Sequence, residues 1–164
     1  MDKAIFIAVI GPATNTNDAI LELAKKIGEF IALNGWILLS GGRDKGIMEA
    51  TNEGAYSAGG MTVGVLPGDG NEKSKYVKIP IVTGMGSARN NIIALTADLL
   101  VAISMGFGTS SEISLALKAG KTVVIAGADQ ITKDFFSDLG KDRIIFADNL
   151  EEVKLNLLKH FTAK

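Results

Sequence analysis

Residues 4–10, AIFIAVI, form an unbroken apolar and β-branched run that ends at Gly11-Pro12. A run with no alternating polar position predicts a strand buried on both faces of a parallel sheet. Asn15 to Asn17 then offer caps for a helix over residues 18–33. There Ile20, Leu23, Ala24, Ile27, Phe30 and Ile31 recur at helical spacing. The unit repeats: a strand over 36–40, a glycine-rich turn, a helix over 47–58 stopped by Gly59-Gly60, and a strand over 61–66. Further along, the pattern predicts a short strand within YVKIPIVTG, a helix over 87–97, a strand over 99–104 and a helix over 109–119. A strand over 122–126, a short helix near 134–139, a last strand over 143–146 and a C-terminal helix from Leu150 complete it.

Strands alternating with helices through short loops predict an α/β, three-layer Rossmann-like fold with a mostly parallel, doubly wound sheet. A length of 164 residues suits one such domain, spanning 1–164, and no linker or low-complexity segment divides it. Sheets of this kind bind ligands outside the carboxyl ends of their strands. The search for chemistry therefore narrows to loops 11–17, 40–46, 67–75 with 84–89, and 104–112. Of these, PGDGNEKSK over 67–75 is the longest polar irregular stretch.

Composition changes the picture in three ways. Apolar residues make up 47% and charged ones 21%, enough for a large core with apolar surface left over for a second subunit. A homo-oligomer, dimer or tetramer, is expected. The 17 basic and 18 acidic residues nearly cancel and no basic stripe interleaves with aromatics, so no nucleic-acid partner is expected. The N-terminal apolar run is too short for a membrane span or signal peptide. The absence of cysteine removes disulfides, thiolate metal sites and cysteine nucleophiles, and fits a cytoplasmic protein. A single histidine, His160, removes His-based metal clusters and a Ser-His-Asp triad, and no metal site is expected.

The loops carry anion-binding chemistry without a standard nucleotide fingerprint. GPATN lacks a full G-x-G-x-x-G, and GGRDKG is not followed by the Lys-Ser/Thr of a Walker loop. Both nevertheless place small residues and backbone N–H groups just before a helix, around Gly11 and around Gly41, Gly42 and Arg43, where the helix dipole favours an anion. In GMGSARNN, Gly84 and Gly86 bring backbone close to whatever covers the sheet, and Ser87 can cap the helix that follows. Arg89 falls in that helix's first turn, beside Asn90. A cation is unfavourable there, so Arg89 needs an anionic partner: Asp98, Glu112 or a bound phosphate. In SMGFGTSSE, Gly106 and Gly108 let the chain turn over a ligand, and Thr109 can cap a helix or bind phosphate. Glu112 stands three residues after Thr109, and Thr-x-x-Glu before an apolar run is the pattern of a capping box in which Glu112 satisfies the Thr109 N–H; the competing reading is a carboxylate that acts on the ligand.

SGGRDKGIMEATNEGAYSAGGMTVGVLPG, GSARN and GFGTSSEISLALKAGKTVV, in this order and spacing, resemble the LOG superfamily. That superfamily groups the LONELY GUY phosphoribohydrolases, formerly labelled lysine decarboxylase-like, with the molybdenum cofactor carrier proteins. The resemblance covers residues 4–126. On the hydrolase side it implies a phosphate pocket at Gly106, Gly108 and Thr109, with Arg89 and Glu112 as the catalytic pair cleaving the N-glycosidic bond of a nucleoside 5′-monophosphate. A carboxylate beside an oxocarbenium-like centre and a guanidinium holding an anion make that chemistry coherent. Two positions depart from the hydrolase pattern: Ser104-Met105-Gly106 stands where Pro-Gly-Gly is usual, and Arg89-Asn90 where Arg-Lys is usual. The Arg-Asn version is similar to the carrier branch, which implies binding without catalysis.

The expectation is thus a binding protein for a phosphorylated nucleotide-like or molybdopterin-type small molecule. Its ligand would be held by the loop residues from Gly11 through Gly41, Gly42, Arg43, Gly86, Ser87, Arg89 and Asn90 to Gly106, Gly108 and Thr109. The alternative is the phosphoribohydrolase. Decarboxylation of lysine finds no Schiff-base lysine with a pyridinium partner in the chain.

Overall fold

The structure, a computed structural model, describes residues 3–14 and 16–162. In chain order it contains β1 (Phe6–Ile10), α1 (Asp18–Leu33), β2 (Ile37–Ser40), α2 (Gly46–Ser57), β3 (Thr62–Leu66) and β4 (Ile79–Val82). A 3₁₀ turn (Gly86–Arg89) leads into α3 (Asn90–Thr96), β5 (Leu99–Ile103), α4 (Phe107–Lys118), β6 (Thr122–Ala126) and α5 (Gln130–Gly140). A second 3₁₀ turn (Lys141–Arg143), β7 (Ile144–Ala147) and α6 (Leu150–Thr162) follow.

The seven strands form one sheet in the order β4-β3-β2-β1-β5-β6-β7, and every neighbouring pair is parallel. The Rossmann-like class read from the alternation is therefore correct, with a sheet more uniform than mostly parallel. Side chains of β1, β2, β5, β6 and β7 alternate between two cores, while all four residues of the edge strand β4 are exposed. Ile7 and Val9 of β1 pack with Ala24, Ile27 and Ile31 of α1, Ile47 of α2, and Val153 and Leu157 of α6. Ala8 and Ile10 point the other way, to Ile93 of α3, Ile113 and Ala116 of α4 and Phe136 of α5. Two apolar faces under two helix layers explain why the strands read as continuous apolar runs.

The chain steps outward from β1 to β4 and then returns to lay β5 beside β1 on its other side. That reversal is the topological switch point, where the loops after neighbouring strands diverge and leave a crevice.

Against the sheet, α1 and α2 cross in backbone contact. A Cβ on Gly28 would sit on the carbonyl of Thr51, and one on Gly54 on the carbonyl of Lys25. Each glycine thus lets the opposing helix approach to a distance no side chain permits. Gly54→Ala is expected to destabilise the protein by about 1–3 kcal/mol, the usual cost of overpacking, measurable as a lower urea midpoint at unchanged slope.

Helix ends follow the sequence reading at α1 and differ from it at α3 and α5. Asn17 does cap α1, accepting from the Ile20 N–H at 2.9 Å, while Asn15 lies outside the described residues. The helix read over 87–97 is a 3₁₀ turn followed by the shorter α3, and Ser87 makes no capping hydrogen bond. The fifth helix starts earlier than read because Asp129 caps it, accepting from Thr132 N–H at 2.8 Å. Among the described residues no helix is long and apolar enough to cross a membrane.

Candidate functional site

A cleft of about 660 Å³ opens at the carboxyl ends of the strands, above the switch point between β1 and β5. Gly11 after β1, Gly41 and Arg43 after β2, and Gly86, Ser87, Arg89 and Asn90 before and at the start of α3 all line it. From the far side come Gly106, Gly108, Thr109 and Glu112 of α4 and its approach. Gly84, expected to approach whatever covers the sheet, does not line the cleft, and of the binding residues read from the sequence only Gly42 stands outside it. Gly42 is buried, with φ +72°, and a Cβ on it would come within 2.8 Å of the Gly64 Cα. Its N–H donates to Ser40 Oγ at 3.1 Å, so it shapes the turn beneath the cleft and does not line it. Conversely, Met48, Pro67, Met105 and Phe107 line the cleft and were not singled out as binding residues. They carry no polar motif, and only the tertiary arrangement puts them there.

Arg89 is the charged centre. Only 9% of it is exposed, and its guanidinium lies over Gly41, where any side chain would collide with it. One Nη donates to the Val65 carbonyl at 2.7 Å, while its buried Nε has no partner. Asp98, one of its candidate anions, is spent elsewhere: it pairs with Lys3 at 2.6 Å and accepts from the Phe6 N–H at 2.9 Å. Burial pushes the Arg89 pKa down, and the charge of Glu112 works against that shift. No direct ion pair joins the two.

Across the cleft, α4 begins two residues earlier than the sequence spacing suggested. Gly106 is its N-cap in extended conformation, and no side chain caps the end. Thr109 is therefore the third helical residue, not the cap. It is 2% exposed, yet its buried Oγ1 has no hydrogen-bond partner. The N–H groups of a first helical turn have no intrahelical acceptors, so this end of α4 presents unpaired donors to the cleft. Asn90 steadies it: its amide donates to Ser111 Oγ at 2.9 Å, and Ser111 donates on to the Gly108 carbonyl at 2.7 Å.

The earlier start also rules out the capping box. Glu112 makes no hydrogen bond back to Thr109; it is 7% exposed, one turn into α4 and facing the cleft. Burial raises its pKa from 4.5 to about 7, with Arg89 pulling the other way. A carboxyl group so placed exchanges its proton near neutrality.

Arg43, the second cation of the cleft, is held by Glu72 at 2.7 Å, and Lys45 also reaches Glu72 at 3.3 Å. The hydrogen bond from Lys45, then the Arg43 charge, hold the Glu72 carboxyl below its ordinary pKa. Loop 67–75 is thereby fastened to the turn after β2, with Ser74 N–H donating to the Gly42 carbonyl at 2.9 Å.

The profile of the SLOG cluster4 family matches residues 4–154. The chain belongs to the SLOG cluster4 family. Among solved structures, it is similar to the molybdenum cofactor carrier protein of Chlamydomonas reinhardtii, at 44% identity and a TM-score of 0.93. That match covers 99% of this chain and 100% of the other. The molybdenum cofactor binding protein of Rippkaea orientalis is 38% identical with a TM-score of 0.92, covering 98% of each chain. A more distant relative is the cytokinin riboside 5′-monophosphate phosphoribohydrolase of Mycobacterium tuberculosis, 32% identical over 65% of this chain and 59% of that protein. In this SLOG cluster4 chain, the Ser104-Met105-Gly106 segment leaves β5 with Ser104 at φ +61°, a conformation costly for a residue with a side chain. Met105 then enters the cleft wall, where its sulfur accepts from Ser110 Oγ at 3.3 Å.

Proposed function

We propose that this protein binds a phosphorylated, nucleotide-like or molybdopterin-type small molecule in the cleft over β1 and β5, without transforming it. The observation that carries this reading is the pairing of a buried, incompletely partnered Arg89 with the uncapped end of α4, where Thr109 Oγ1 is buried and unpaired. Such groups are costly to bury unless something accepts from them, and a phosphate supplies that many acceptors. The cleft volume falls in the range of roughly 300–1,000 Å³ usual for small-molecule sites. Among the described residues no group of three or more His, Asp or Glu side chains could hold a metal ion. Similarity to the two molybdenum cofactor proteins supports the molybdopterin-type ligand.

The test is a thermal-shift panel of inorganic phosphate, ribose 5-phosphate, adenosine and guanosine 5′-monophosphates and a molybdopterin preparation. A ligand at about a hundred times its Kd adds about 2.7 kcal/mol, raising the melting temperature of a chain this size by about 5–10 °C. A melting curve that none of them moves would overturn the proposal.

One observation favours a second reading, N-glycosidic hydrolysis of nucleoside 5′-monophosphates. Glu112, with a pKa near 7 and no hydrogen bond, is suited to general acid–base work at neutral pH. Free base detected by chromatography with wild type and lost in Glu112→Gln supports hydrolysis. Binding of the nucleotides with no base released supports carriage.

A further inference from the structure

We propose that Phe107 is the stacking platform for a planar heteroaromatic ring on the ligand, and so decides which phosphorylated molecules the cleft retains. The inference rests on the anion-binding reading of the cleft and adds the chemistry of the ligand's other end.

The seven phenylalanines of the chain divide unequally. Phe6 and Phe146 pack on one core, Phe30 and Phe161 on the other, and Phe135 meets Phe136 edge-on at 5.0 Å between centroids. Phe107 alone among them joins neither core nor another ring, and at 101% relative exposure it stands wholly in solvent. Of the large exposed apolar side chains among the described residues, it is the one that lines the cleft.

Its position on α4 explains what the ring can reach. Phe107 is the first helical residue, Thr109 the third, so ring and unpaired donors belong to one turn with a 5.4 Å pitch. An anion on those donors lies a short linker away from a group against the ring, which is how a sugar or pyran joins a phosphate to a base or pterin. Space is available beside it: a Cβ on Gly108 would meet nothing, and one on Gly106 would only reach ordinary contact with Pro12 at 3.5 Å. The cleft is also lined by apolar and polarisable side chains, Ile10, Pro12, Met48 and Met105. Aromatic and thioether surfaces favour a flat π-face over a bare sugar phosphate.

The experiment is calorimetric titration of the full-length wild type, Phe107→Ala and Phe107→Trp with adenosine 5′-monophosphate and with ribose 5-phosphate. Stacking on one base predicts that Phe107→Ala weakens the nucleotide by about 10- to 100-fold and leaves ribose 5-phosphate unchanged. Phe107→Trp restores affinity, and nucleotide quenches its added fluorescence. The native Trp36 is a steady background, since it precedes β2 and packs between Phe30 and Phe161 at the opposite end of the strands. Equal weakening of both ligands by Phe107→Ala would overturn the proposal in favour of a loop-shaping role. Unchanged binding of both would overturn it too, and a fall in sedimentation mass with that result would assign the ring to a contact between copies. Failure of wild type to bind either compound, with a melting curve that no member of the thermal-shift panel moves, would overturn the anion-cleft reading itself, and the stacking role with it.

Discussion

Arg89→Ala is expected to weaken binding of phosphorylated ligands by about 10- to 100-fold, the loss that goes with one hydrogen-bonded charge. The guanidinium is fixed before any ligand arrives: it donates to the Val65 carbonyl at 2.7 Å and rests over Gly41, so little side-chain entropy remains to be lost on binding. Its Nε is buried and unpaired, and its pKa is pushed down by burial against the opposing charge of Glu112. The free protein therefore carries a desolvated cation that it compensates only in part. Removing it relieves that penalty while losing the Val65 hydrogen bond, and the two effects oppose each other in the ligand-free melting temperature. The signature is a melting curve near wild type without ligand and a thermal shift that phosphate compounds no longer produce. Arg89→Lys keeps the charge but not the planar fork, and is expected to recover only part of the affinity. Full affinity in Arg89→Ala would place the anion elsewhere in the cleft.

Glu112→Gln is expected to stabilise the ligand-free protein at alkaline pH and to leave it close to wild type in acid. The folded carboxyl group titrates near 7 because it is buried, with Arg89 offsetting part of the shift, while in the unfolded chain it returns to its ordinary 4.5. Between those values the folded state holds the proton more tightly, so stability falls as pH rises through the window. The contribution is fully present below the unfolded pKa and lost above the folded one, amounting to up to about 3 kcal/mol. Glutamine cannot ionise, so the variant's stability should lack this slope. Urea unfolding at about pH 5 and about pH 8.5 measures both limits. Parallel pH dependences in wild type and variant would mean that Glu112 ionises freely in the fold. In a carrier the substitution leaves phosphate binding intact at low pH. In a hydrolase it removes base release at every pH.

The strand and helix alternation was legible because both faces of the sheet are covered. Residues such as Ile7, Ala8, Val9 and Ile10 are all buried, so period-two alternation vanishes and continuous apolar runs mark the strands. Helix starts were less legible. Thr-x-x-Glu at Thr109 and Glu112 reads as a capping box, but extended Gly106 starts α4 at Phe107, and this shift turns Glu112 from a cap partner into a buried carboxyl of the cleft. Gly41 and Gly42 look equivalent along the chain, yet one lies under the Arg89 guanidinium and the other against Gly64. Their division follows from the approach of α3 and β3, which no local pattern encodes.

The sequence by itself determined the α/β class and pointed to the loops, with Arg89, Thr109 and Glu112, that come together around the cleft, since periodicity and glycine placement are local properties of the chain. Only the tertiary structure decided that Asp98 is engaged by Lys3, that Thr109 Oγ1 is buried without a partner and that Phe107 stands exposed at the cleft. Burial, pKa and unmet hydrogen bonds depend on what other segments bring alongside a residue, and those neighbours come from distant parts of the chain.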